Sequence, residues 1–141
     1  MKTIMKKLLI ATAGLFGATV VLADFDGSEA LICSLGQNIE CDYGSECMSV
    51  TNESIDAPDF VELDFKKKQF VATTAGENTE PDDIDNVEVL ENHLIAQGVQ
   101  GTTRTDPLGW SISINRMTGR AVLTAAGDNA GFVVFGACMP L

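Results

Sequence analysis

Gly109-Trp110-Ser111-Ile112-Ser113-Ile114-Asn115 alternates large apolar and small polar residues without a fault. Successive side chains of a strand point to opposite faces, so this pattern sets Trp110, Ile112 and Ile114 on one buried face and the polar residues on the other. The same period of two recurs on both sides. Val61, Leu63 and Phe65 alternate with Glu62 and Asp64, and Lys66-Lys67-Lys68 turns the chain into a returning strand over 70–74. Residues 84–90 and 94–99 flank Glu91-Asn92-His93, a tight hairpin. Between these pairs, 75–83 reads as a loop by its breakers Gly76, Asn78 and Pro81. Beyond the central stretch, 115–119 makes a turn with Gly119 suited to a positive φ. A strand over 121–125 and a turn at Gly127-Asp128-Asn129 follow. The closing strand, 132–138, is apolar on both faces and is expected to be central or covered.

Strands at this spacing, joined by short turns, describe an antiparallel meander. Such a sheet buries one face by curling into a barrel or packing as a sandwich. The expectation is a mainly all-β, small barrel-like fold of about seven to eight strands. N-terminal to it the period changes: Leu31, Leu35 and Ile39 stand four apart behind Ser28, a candidate cap. That predicts a short N-terminal helix, serving as plug or lid. Residues 24–28 read as a flexible lead-in, and 41–58 as a polar loop.

Residues 1–23 carry the marks of a secretory signal. Lys2, Lys6 and Lys7 precede an uncharged stretch over 8–22, and Val21-Leu22-Ala23 offers a cleavage site before Asp24. The stretch is short of the ~20 apolar residues a membrane span needs. The division is therefore a signal over 1–23 and one domain over 24–141, exported to the periplasm or secreted after cleavage between Ala23 and Asp24. Cleavage removes three of nine basic residues, leaving six against twenty carboxylates, a formal charge of −14. A field of that sign disfavours nucleic acid and anionic lipid, aids solubility and attracts cationic proteins. No stable membrane insertion of the mature chain is expected.

Cys33, Cys41, Cys47 and Cys138 are an even set. In an oxidising compartment they imply two disulfides with three open connectivities. The expected pairing is Cys41 with Cys47, closing Asp42-Tyr43-Gly44-Ser45-Glu46, and Cys33 with Cys138, tying the N-terminal segment to the last strand. Zinc and thioredoxin-like chemistry both lack a C-x-x-C pair, and His93 is the single histidine.

Catalytic material is thin. Gly109-Trp110-Ser111 begins like a nucleophile elbow, but the second glycine is missing and Ser111 lies inside an alternating strand. His93 falls in a hairpin turn, where a solvated side chain is the ordinary reading. Glu77, Glu80, Asp82, Asp83 and Asp85 supply hard oxygens for calcium, as do Asp24, Asp26 and Glu29, yet neither set has the spacing of a twelve-residue calcium loop. A solvated acidic face fits them better. Lys66-Lys67-Lys68 reads as an ordinary charged hairpin tip. No enzyme, cofactor or metal is expected.

Leu31-Ile32-Cys33, Cys41-x5-Cys47, the Gly-Trp-Ser strand, Thr118-Gly119 and the ending Gly131-Phe132-Val133-Val134-Phe135-Gly136-Ala137-Cys138 resemble a group of small exported proteobacterial proteins. The likeness spans most of 26–141 and carries no assigned function. A weaker likeness is to periplasmic lysozyme inhibitors of the MliC type, small disulfide-bonded β-barrels. The chain has neither the Ser-Gly-x-x-Tyr stretch nor the Lys-Gly pair of that type. Three functions follow: a binding barrel for a small apolar ligand, an acidic inhibitor of a cationic cell-wall hydrolase, and a structural envelope protein without a ligand.

Overall fold

The computed structural model describes residues 25–74, 76–101 and 107–141. The signal over 1–23 and its cleavage site lie outside them. The strands are β1 (Leu31–Asp42), β2 (Met48–Val50), β3 (Phe60–Asp64), β4 (Gln69–Thr74), β5 (Glu77–Asn78), β6 (Asp82–Val89), β7 (His93–Gln100), β8 (Leu108–Asn115), β9 (Arg120–Ala126) and β10 (Ala130–Pro140). Their order is β10-β9-β8-β7-β6-β4-β3-β1, and β10 also pairs with β1. Eight antiparallel strands thus close a barrel. β2 and β5 stand outside it, on β1 and β4.

The expected N-terminal helix is a strand instead. Among the described residues the helical piece is a 3-10 turn at Glu53–Ile55. Leu31 and Leu35 are four apart, but every fourth position of a strand also shares a face, and Cys33 between them completes an inward row. A bulge between Leu35 and Gln37 then shifts the phase, so that Asn38, 1 % exposed, is the next residue inside. What makes this segment a strand is its partner: β1 runs against β10 from Leu31 opposite Pro140 to Asp42 opposite Ala130. Ser28 caps no helix; its backbone N–H donates to Asp26 Oδ1 at 2.8 Å. The polar segments 41–58 and 75–83 each contribute a short strand, β2 and β5, because a long neighbour offers them an edge.

Both disulfides form as expected. Cys33 and Cys138 are register partners across β1–β10, so their bond rivets the join that closes the barrel. Cys41–Cys47 closes the small loop after β1. Disulfides persist in oxidising compartments, which agrees with an exported chain. Among the described residues no helix is long and apolar enough to cross a membrane.

Inward residues fill one end of the barrel. Leu31, Val61, Leu63, Leu94, Ile112 and Ile114 are all fully buried. The lead-in is part of this packing: Phe25 is buried in the core, and Arg116 holds its carbonyl through Nε at 3.1 Å while Nη1 donates to the Leu90 carbonyl at 2.9 Å. Gly119 has φ +70° as its turn requires, and a Cβ there would stand 2.5 Å from the Cys138 carbonyl oxygen. The lead-in before β1 packs on this end through bends over 26–29 rather than as a helix, with Gly27 at φ +80°. β10 lies between β9 and β1, a central place, while its outer Phe135 and Met139 are exposed among the described residues.

Candidate functional site

At the opposite end the interior is not filled. β4, β8, β9 and β10 bring small or sparsely packed inner residues there, and a cavity of about 440 Å³ opens at the barrel mouth. Its apolar walls include Phe70, Ala72, Trp110, Leu123, Phe132 and Val134. Alternation along β8 and β10 explains the orientation: Trp110 belongs to the same inward row as Ile112 and Ile114, two steps nearer the mouth. Phe70 and Trp110 pack with ring centroids 4.6 Å apart and planes tilted by 32°, within the range of aromatic pairs. The indole also needs Gly98 beneath it, since a Cβ at that position would sit 2.6 Å from the Trp110 ring. Trp110 Nε1 is buried and pairs with no protein acceptor.

The β2–β3 connection covers part of the mouth, contributing Ile55, Asp56, Ala57 and Pro58 to the lining. Asn52 anchors this cover. Its Nδ2 lies within hydrogen-bonding distance of the Leu35 carbonyl at 3.1 Å, the Pro58 carbonyl at 3.2 Å and Asp59 Oδ1 at 3.2 Å, and its Oδ1 accepts from Asn38 Nδ2. The backbone adds Leu35 N–H to the Asp59 carbonyl at 2.9 Å. Neither asparagine stands out in the sequence, because polar residues in a polar loop give no sign of tertiary partners. Thr74, Thr79 and Gln100 add neutral polar atoms to the lining, and Asp56 is its one charged side chain among the described residues.

The described basic residues are confined to one end of the barrel, whereas carboxylates stand at both, Asp26, Asp64 and Glu91 among those at the closed end. Asp42, Glu46, Glu53, Asp56 and Asp59 all lie in or beside the segments that join strands at the mouth. The described basic residues are at the other end: Lys66, Lys67 and Lys68 between β3 and β4, and Arg116 and Arg120 around the β8–β9 turn. Arg104 falls in 102–106, outside the described residues, together with Asp106, which offsets it formally.

The remaining candidates are not brought together. Ser111 is half-buried on the outer face, where its carbonyl accepts from Thr124 Oγ1 at 3.3 Å. On the β7–β8 ladder Ser111 is opposite Gln97 and His93 opposite Asn115, four positions along, roughly 13 Å at strand rise. That separation is too long for a Ser–His pair. Of the acidic run, Asp82 Oδ1 accepts from Gly101 N–H at 3.1 Å, while Asp83 and Asp85 are exposed. Among the described residues no three His, Cys, Asp or Glu side chains are grouped to hold a metal ion. Lys67 pairs with Asp64 at 2.9 Å. The Lys67 backbone N–H, then its ammonium, holds the Asp64 carboxyl below the usual carboxylate range. The lysine tip is thus partly neutralised by its own hairpin.

No family model matches the chain, and neither a curated protein nor a solved structure matches it.

Proposed function

We propose that this chain is a non-enzymatic, exported binding protein that holds a small apolar ligand in the mouth of its barrel. The observation that carries the reading is the apolar cavity of about 440 Å³ walled by Phe70, Trp110 and Phe132. Small-molecule sites typically measure about 300–1,000 Å³ and combine apolar walls with a few polar groups. Periplasmic residence after cleavage between Ala23 and Asp24 completes the proposal. An apolar interior under a largely polar exterior supports a barrel in water, since membrane barrels have the reverse arrangement.

Native mass spectrometry of the protein isolated from periplasm tests both parts. The expected species is the chain beginning at Asp24 with a small molecule retained. The Asn52→Ala variant loses the anchor of the cover, and hydrogen bonds of this kind contribute about 1–3 kcal/mol when their loss strands a buried partner. Retention is therefore expected to fall about tenfold or more while the far-ultraviolet circular dichroism stays that of the parent. A protein that retains nothing, and takes up no apolar probe, points instead to the structural envelope role and rejects the ligand reading.

A second reading draws on a separate observation. Tyr43 is 90 % exposed inside the loop closed by Cys41–Cys47, and Met48 beside it is exposed as well. A rigid aromatic tip on a carboxylate-rich end suits docking to a basic protein, because pre-organised loops lose little entropy on binding and opposite charge speeds encounter. This favours an acidic inhibitor of a cationic cell-wall hydrolase such as lysozyme. Titration with lysozyme is expected to show binding that weakens with added salt and is lost in Tyr43→Ala. No binding at low salt rejects this reading.

A further inference from the structure

We infer that the ligand taken by the mouth is an amphiphilic organic cation, seated with its apolar part against Phe70, Trp110 and Phe132 and its positive group at the rim. The inference rests on the mouth being a ligand site and adds the charge of what enters it. Three observations converge. The inner wall is apolar and aromatic, so it accepts a hydrocarbon or aromatic group and offers an ionic group nothing deep inside. Asp56 is the charged residue of the described lining, and it belongs to the cover rather than to the wall, so its carboxylate stands where a ligand's exposed end would be. Asp42, Glu46, Glu53 and Asp59 repeat the same sign around the mouth, with no described lysine or arginine among them. The β1–β10 register adds Glu40, directly opposite Phe132 and therefore on the same face of the sheet.

Physical chemistry turns this arrangement into selectivity. A neutral amphiphile gains only the burial of its apolar part. A cation gains that burial and the field of the rim, which also raises its local concentration before it binds. An anion with the same tail is repelled at the same place. Aromatic walls favour the cation further wherever its positive group approaches a ring face.

Trp110 is the single tryptophan of the chain, so its fluorescence reports the cavity directly. The probes are decyltrimethylammonium, decanol and decanoate, which share a ten-carbon tail and differ in charge. The expected order of affinity is cation, then alcohol, then carboxylate, with the cation tighter than the alcohol by tenfold or more at low salt. Asp56→Asn, a substitution tolerated at the left-handed φ of 52°, is expected to narrow that ratio at least threefold by weakening the cation more than the alcohol. Equal binding of cation and alcohol overturns the charge inference and leaves the ligand site standing. A ratio unchanged in Asp56→Asn overturns the role of the rim carboxylate. Absence of any Trp110 response to all three probes overturns the ligand site itself.

Discussion

Replacing Cys33 and Cys138 together by alanine is expected to destabilise the protein far more than replacing Cys41 and Cys47. The first bond spans a sequence separation of 105 and the second a separation of 6. In the chain-entropy description these close loops worth roughly 4.7 and about 2 kcal/mol of denatured-state freedom, within the 2–5 kcal/mol typical for a native disulfide. Burial widens the gap. Cys33 is fully buried and Cys138 7 % exposed, so alanines there also leave missing atoms inside the core, whereas Cys47 is exposed. Urea unfolding of the two double variants under oxidising conditions is the measurement. Equal losses would show that the long-range bond adds nothing beyond the β1–β10 ladder it crosses.

Trp110→Ala is the second large change. Truncating a buried tryptophan costs about 3–5 kcal/mol, and here it removes the Phe70 ring contact and one wall of the mouth. Trp110→Phe keeps an aromatic ring in place and breaks no hydrogen bond to the protein, since Nε1 has no protein acceptor. Its cost should be well under half that of the alanine variant. Thermal unfolding of both proteins reads the contrast. Similar losses would mean that the indole N–H matters to stability despite its lack of a protein partner.

The barrel was legible in the sequence because its strands are patterned locally. Trp110, Ile112 and Ile114 announce their face through their immediate neighbours, and the turns at Lys66-Lys67-Lys68 and 115–119 carry their own signals. β1 was misread as a helix because Leu31 and Leu35 satisfy both periods, and only a partner 105 positions away decides between them. Phe25 gave a lone aromatic in a polar lead-in, a signal outweighed by Asp26 and Gly27 beside it. The cavity was not legible at all. Alternation tells which residues face inward, but the open volume depends on which inward residues meet across the ring. Ala72 and Ala125 near the mouth leave space, where Leu31, Leu63 and Ile112 elsewhere do not. The anchor formed by Asn38 and Asn52 depends likewise on contacts that no local pattern encodes.

The ring of strands is unevenly joined, and this bears on how it breathes. β7 and β8 share eight register pairs, whereas β4 and β6 share only Gln69 opposite Asp83 and Phe70 opposite Asp82, with Ile84 N–H reaching the Lys68 carbonyl at 2.9 Å just beyond. Thermal opening follows the least costly break, so amide protons along this join exchange with solvent before those of the β7–β8 ladder. Phe70 stands in that join and also walls the cavity. A fluctuation that parts β4 from β6 therefore opens a second way into the interior, and the residence time of the proposed ligand is expected to depend on this seam as well as on the cover over the mouth.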